Sequence, residues 1–246
     1  MEQFWLAQPS ALPANIGLNR AAWDLRYDPP PAFAHAFVFN GNPGSTPAEP
    51  EGALALPGLY RIRLTVDGNR YTQAMTVVRD PRSRVTPAAL AAQHAFLMRL
   101  SSGVQAAWAD FRPVAELRAR VQQIAPSDTA SEMGKAAKAL ATTLDSIAGD
   151  SLEDVRLIWD ARPTTWNFVN LNREFALQMA TQDNADQTPT QAALAVARSS
   201  CADLARLVGR WRQFVRADLV RFNQLLSRQG IGAVAARPGP ERLCAP

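Results

Sequence analysis

Two histidines, His35 and His94, limit the imidazole chemistry open to this chain of 246 residues. A three-histidine metal site is excluded, and a Ser/His/Asp hydrolase would have to recruit one of these two. Neither lies in a nucleophile elbow or a comparable motif. His35 sits beside aromatics in a loop, and His94 sits near the apolar stripe of a predicted helix, where a hydrogen-bonded boundary role is the simpler reading. Asp150, Glu153 and Asp154 crowd one helical start. Glycoside hydrolysis needs two acids facing each other across a cleft, and neighbours on one turn point apart. Asp183-Asn184-Ala185-Asp186 offers closely spaced oxygen ligands but lacks the glycine turn and distal glutamate of an EF-hand, so it reads as a polar loop between helices. Phosphate-binding GxxxxGK and GxGxxG loops are missing. No catalytic residue, metal ligand or cofactor is expected.

The six tryptophans are the remaining candidates. Trp23, Trp108 and Trp211 fall in core phase, where packing is the default. Trp5, Trp159 and Trp166 lie near element ends, where covering the ends of a bundle is the simpler reading; Trp159 and Trp166 are the candidate ligand or partner contacts. A carbohydrate-binding module would build its aromatic platform either from the Phe33–Phe39 loop or from Trp159 and Trp166.

The elements that must position these residues change character near Arg82. Before it, Pro and Gly are dense and the apolar pattern alternates. In Gly58–Val66, Tyr60, Ile62, Leu64 and Val66 face one way and Arg61, Arg63 and Thr65 the other, which predicts a half-buried strand. Asp67-Gly68-Asn69 predicts a tight hairpin turn, and Arg70–Val78 the return strand. An earlier strand is expected over Leu18–Tyr27, with Trp23, Leu25 and Tyr27 on one face. Between them, Asp28–Pro57 reads as an irregular loop with a short strand at Phe37–Phe39.

After Arg82 the spacing is helical. Thr86-Pro87 supplies an N-cap and a first-position proline for a helix to about Ile124, kinked at Pro113. A second helix starts at Ser127-Asp128-Thr129 with a Thr129/Glu132 capping box, and its face is Met133, Leu140, Leu144 and Ile147. A short helix is expected over Leu152–Trp159 and another over Phe168–Thr181. Thr188-Pro189-Thr190-Gln191 opens a last helix that runs unbroken to Arg228. Gly230 is its left-handed stop, with Ile231 folding back on Leu226. These elements predict an α+β protein: an N-terminal partial Ig/fibronectin-like β-sandwich over 1–82, an antiparallel four-helix bundle over 83–232, and a flexible tail over 233–246.

Composition narrows the partners. There are 26 Lys and Arg against 22 Asp and Glu, a net charge of +4. The pI near 9.6 therefore reflects a small excess. The arginines between Arg198 and Arg228 read as a solvated helix face, and no nucleic-acid partner is expected. Mean hydropathy is −0.16 and no apolar run is long enough to span a membrane. Met1–Leu6 has no basic start, so no signal peptide is expected there. Cys201 reads as a small core residue. A bridge to Cys244 needs the tail to double back about 40 Å, just within the reach of its extended residues, and is the less favoured alternative.

One ordered series carries a family likeness: Gly17-Leu18-Asn19-Arg20, Trp23–Tyr27, Pro57–Gly68, Thr72–Val77, Asp80-Pro81-Arg82, then Asp186–Thr190 and Phe222–Leu226. It resembles the C-terminal region of large bacterial proteins with sialidase/sortilin-like β-propeller repeats, often labelled glycosyl hydrolase. The β portion is also similar to Ig-like or fibronectin-type modules. The Ser-x-Asp-x-Gly-x-x-Trp box of such propellers does not occur, so no catalytic residue transfers. The resemblance implies an accessory region of a propeller protein in an extracytoplasmic setting. It also implies an incomplete sandwich with an open sheet edge that favours pairing with another chain.

Overall fold

The computed structural model describes residues 12–33, 50–126, 128–149, 165–239 and Cys244. In chain order these form β1 (Gly58–Val66), β2 (Asn69–Val77), α1 (Pro87–Ile124), α2 (Glu132–Ala148), α3 (Phe168–Gln182), α4 (Gln191–Arg216) and α5 (Asp218–Arg228). No helix among the described residues is long and apolar enough to cross a membrane. The predicted helix at Leu152–Trp159 and the strand at Phe37–Phe39 lie outside the described residues.

The β part is a two-stranded antiparallel ribbon. The expected β-sandwich is not formed among the described residues, and the reason lies in the segment before it. Leu18–Tyr27 was expected as a strand, but Leu25 adopts φ 64° and the Asp24 carboxylate accepts the Arg26 N–H at 2.9 Å. This local turn ends any extended run. Only one isolated bridge, Arg26 with Leu54, survives. The β1–β2 register runs from Gly58 opposite Val77 to Val66 opposite Asn69. Asp67 and Gly68 close it with φ 48° and 81°, the paired left-handed residues of a type I′ turn.

The helices share one apolar cluster in which Trp211, Phe168, Phe175, Leu100 and Leu144 are fully buried. α1 packs against α2, α3 and α4, and α2 packs against α5. α3 runs antiparallel to α1: Gln93 near the start of α1 reaches the carbonyl of Gln182, while Val104 near the middle of α1 meets Asn172 near the start of α3. The predicted face of α2 is the buried one, with Met133, Leu140, Leu144 and Ile147 all in the cluster.

Helix ends follow side-chain capping. Thr86 accepts the Ala89 N–H and Asn167 the Asn170 N–H. Two expected caps shift by two residues. α2 is capped by Ser131, whose hydroxyl accepts the Gly134 N–H at 3.0 Å and donates to the Asp128 carbonyl at 2.7 Å. α4 is capped by Thr190 rather than Thr188. The Thr190 hydroxyl accepts the Ala193 N–H at 3.1 Å. α1 continues through Pro113. The expected single last helix is divided at Ala217, where φ is −117° and ψ −64°. Its end matches the Schellman geometry: Gly230 N–H donates to the Ser227 carbonyl and Ile231 N–H to the Leu226 carbonyl.

The C-terminal segment, expected to be flexible, is held at Val234, Gly239 and Cys244. Asn223 brackets Val234, donating to its carbonyl at 2.8 Å and accepting its N–H at 2.9 Å. Asp110, buried in α1, accepts the Gly239 N–H at 2.6 Å. Cys244 is bonded to Cys201. The less favoured pairing is therefore the one adopted, because Asn223 and Asp110 turn the tail back along α5, α4 and α1.

Burial pushes the Asp110 carboxyl above its ordinary value, against the opposing pull of the Gly239 N–H and the Arg212 charge. The folded value lies above the unfolded one, so this stability is present below the usual carboxylate range near pH 4. It is lost as pH rises through the elevated value. Asp110→Asn keeps an acceptor for Gly239 and removes the titration. Urea midpoints taken from about pH 4 to about pH 7 should decline less steeply in the variant than in the parent.

Candidate functional site: the β-ribbon and the cleft at its base

The ribbon is anchored where four pieces of chain meet. Tyr27 N–H donates to the Ala53 carbonyl at 3.0 Å and Ala55 N–H to the Leu25 carbonyl at 2.7 Å. Gly52 allows this approach, since a Cβ there would overlap the Tyr27 carbonyl. The Arg26 guanidinium donates to the Gly52 carbonyl at 2.8 Å and pairs with Glu51 at 3.3 Å and with Asp183 at the end of α3. Burial raises the Asp183 carboxyl from its ordinary value, opposed by Arg26. Gln93 of α1 completes the junction. Its amide donates to the carbonyls of Gln182 at 2.8 Å and Ala185 at 2.7 Å, and its oxygen accepts the Gln187 N–H at 3.2 Å. One buried side chain thus bonds three backbone groups at and after the end of α3.

A cleft of about 430 Å³ opens at this junction. Its described lining brings His94 and Asp80 together with Asp183 and Asp186 of the α3–α4 loop, groups that are far apart in the sequence. Each carboxylate is engaged structurally. Asp80 is held below its usual value by the Arg82 guanidinium, Asp183 is paired with Arg26, and Asp186 accepts the Ser83 hydroxyl at 3.0 Å. His94 donates from Nδ1 to the Leu54 carbonyl at 2.9 Å and packs its ring 5.5 Å from Tyr27. That is the boundary role expected for it. No Ser, Thr or Cys is among the described lining residues, and no cluster of three or more metal-ligating side chains occurs among the described residues. The cleft is a joint of apolar walls and clamped polar groups.

Trp5, His35 and Trp159 lie outside the described residues, as does the Asp150–Glu153–Asp154 cluster. Trp166 is half-buried and packed against the helical cluster. Phe33, the described end of the aromatic platform, is spent on packing, 4.6 Å from Trp108 and 4.4 Å from Phe111 between ring centroids. Trp23 is corrected from a core residue to a surface one. It is 44% exposed, meets Tyr60 edge-on at 5.8 Å and donates to the Arg26 carbonyl at 2.8 Å.

Sequence reasoning missed Asn172, which is fully buried in α3. Its oxygen accepts the Phe33 N–H at 3.0 Å, and its nitrogen donates to the carbonyls of Pro31 at 3.0 Å and Val104 at 2.9 Å. The available signal was an asparagine in the core phase of a helix, a costly placement unless it is fully bonded. Asn172→Ala removes three hydrogen bonds to backbone groups from a buried site and should cost about 3 kcal/mol, measured by urea unfolding. A loss under about 1 kcal/mol would mean that water replaces the amide.

Beyond the joint, the ribbon stands free. Ile62, Leu64 and Val66 are 46–48% exposed and Tyr71, across from Leu64, is 60% exposed. The half-buried strand expected from the alternation thus keeps its alternation but has no covering layer among the described residues. On the other face lie Arg61, Arg63 and Arg70, all exposed. Neither outer edge is paired among the described residues.

Comparison with protein-family models, curated proteins and solved structures returned no match. The likeness to propeller-associated C-terminal regions rests on the residue series alone.

Proposed function

We propose that the chain is a non-catalytic interaction module whose helical core holds out a β-ribbon for a partner protein. The carrying observation is the exposed apolar face of β1–β2 beside two edges left unpaired among the described residues, on a hairpin whose leading segment is tied down by Arg26 at the Gly52 carbonyl and His94 at the Leu54 carbonyl. An ordered ribbon with this pattern is a template for a further strand. The polar groups of the adjoining cleft are engaged in holding the joint, which favours a structural role over turnover. The residue likeness points to a β-propeller protein as the partner. The Cys201–Cys244 bridge supports an extracytoplasmic setting, where such bonds persist.

The test is association by calorimetry between the full chain and a β-propeller protein of the resembled class. Binding should be lost in Ile62→Ser/Leu64→Ser while far-UV circular dichroism stays unchanged. Binding that survives this double change would remove the ribbon from the interface. Absence of binding by the parent chain would remove the propeller as partner.

A further inference from the structure

We infer that the occupant of the ribbon is an acidic β-strand of a partner protein, one that alternates apolar side chains with carboxylates and adds to the β1 edge. This rests on the docking role proposed above and specifies its chemistry. In a two-residue hairpin the pair flanking the turn, Val66 and Asn69, is hydrogen-bonded, and bonded pairs then alternate along the ladder. The intervening residues Leu59, Arg61, Arg63 and Thr65 therefore turn their N–H and C=O groups outward along the β1 edge. The groups that would bond an added strand belong to the residues carrying the arginines.

The two faces then set what the added strand must carry. One face continues Tyr60, Ile62, Leu64 and Val66 and asks for apolar side chains. The opposite face presents Arg61, Arg63 and Arg70, with Arg70 across the ladder from Thr65. None of the three has an ion-pair partner among the described residues, and no acidic side chain lies on either strand. Opposite charges on adjacent strands attract and like charges repel. A second copy paired edge to edge would set arginine beside arginine on one face, so self-pairing is disfavoured. An acidic strand meets both requirements at once.

The experiment uses the full oxidised chain and two ten-residue peptides, one alternating valine with glutamate and the other valine with lysine. Binding is followed by fluorescence titration and by amide NMR shifts along Gly58–Val66. The glutamate peptide should bind about ten-fold more tightly than the lysine peptide, because Arg61 and Arg63 on the adjoining strand attract glutamate and repel lysine. The shifts should centre on Leu59–Thr65, and the preference should reverse in Arg61→Glu/Arg63→Glu/Arg70→Glu, whose fold is checked by circular dichroism. Equal binding of the two peptides at β1, or a lysine preference, overturns the acidic assignment and leaves strand docking standing. Glutamate binding that is unchanged in the triple variant, or located elsewhere, also overturns it. Binding of neither peptide overturns the assignment and the strand-docking role together.

Discussion

Reduction of the Cys201–Cys244 bond should lower the unfolding free energy by about 4 kcal/mol at most. The two cysteines are 43 residues apart in sequence, with Cα atoms 6.0 Å apart. A link of that span removes chain entropy from the unfolded state, and the loss grows with the logarithm of the loop. The bond also seats the last described residue of the chain, where the Cys244 carbonyl accepts from Arg99 Nε at 3.2 Å. Urea midpoints with and without dithiothreitol should separate accordingly. Cys201→Ser and Cys244→Ser should each match the reduced parent and show no further response to reductant. Coincident midpoints for oxidised and reduced chain would mean that the tail is held by Asn223 and Asp110 alone.

Trp211→Ala should cost about 3–5 kcal/mol, the range for deleting a large buried ring. Trp211 is fully buried in α4 and stacks at 5.6 Å on Phe214. Truncation leaves a cavity in the cluster that α1, α3 and α4 share, and the packed walls cannot close on it. The indole N–H has no partner among the described residues, so Trp211→Phe should recover most of the loss. Trp23→Ala is the matched control. With its ring 44% exposed, its loss should stay near 1 kcal/mol. Chemical denaturation of the three variants decides the matter, and equal losses for Trp211→Ala and Trp23→Ala would contradict the burial pattern.

These two tryptophans show where local sequence is sufficient. Trp211 shares a helical stripe with Leu204 and Val208, and a stripe of that width on a long helix has to be covered by other helices. Trp23 sits in an alternating pattern of few residues, which specifies a face only if the strand forms. The turn at Asp24–Leu25 prevents it. Ile62, Leu64 and Val66 teach the same lesson, because alternation says which side chains share a face and leaves open whether anything lies against it. The arginines of β1 were legible as the opposite face, while their lack of partners required the surrounding chain.

The candidate site was less legible. Gln93 and Asn172 belong to no motif that the sequence singles out. Their work is to bond backbone groups of loops distant in sequence, and no local pattern encodes that. His94 was correctly placed at a boundary, but its acceptor, the Leu54 carbonyl, comes from the other side of the chain.

From the residues alone followed the helix-rich second part, the buried face of α2, the hairpin at Asp67-Gly68 and the stop at Gly230. Each is set by periodicity or by backbone preference within a few residues. Tertiary structure alone decided that the ribbon stands uncovered, that Asp183 meets Arg26 and that Cys201 meets Cys244. These depend on which distant segments reach one another, and that choice is made by the collective packing of the helical core.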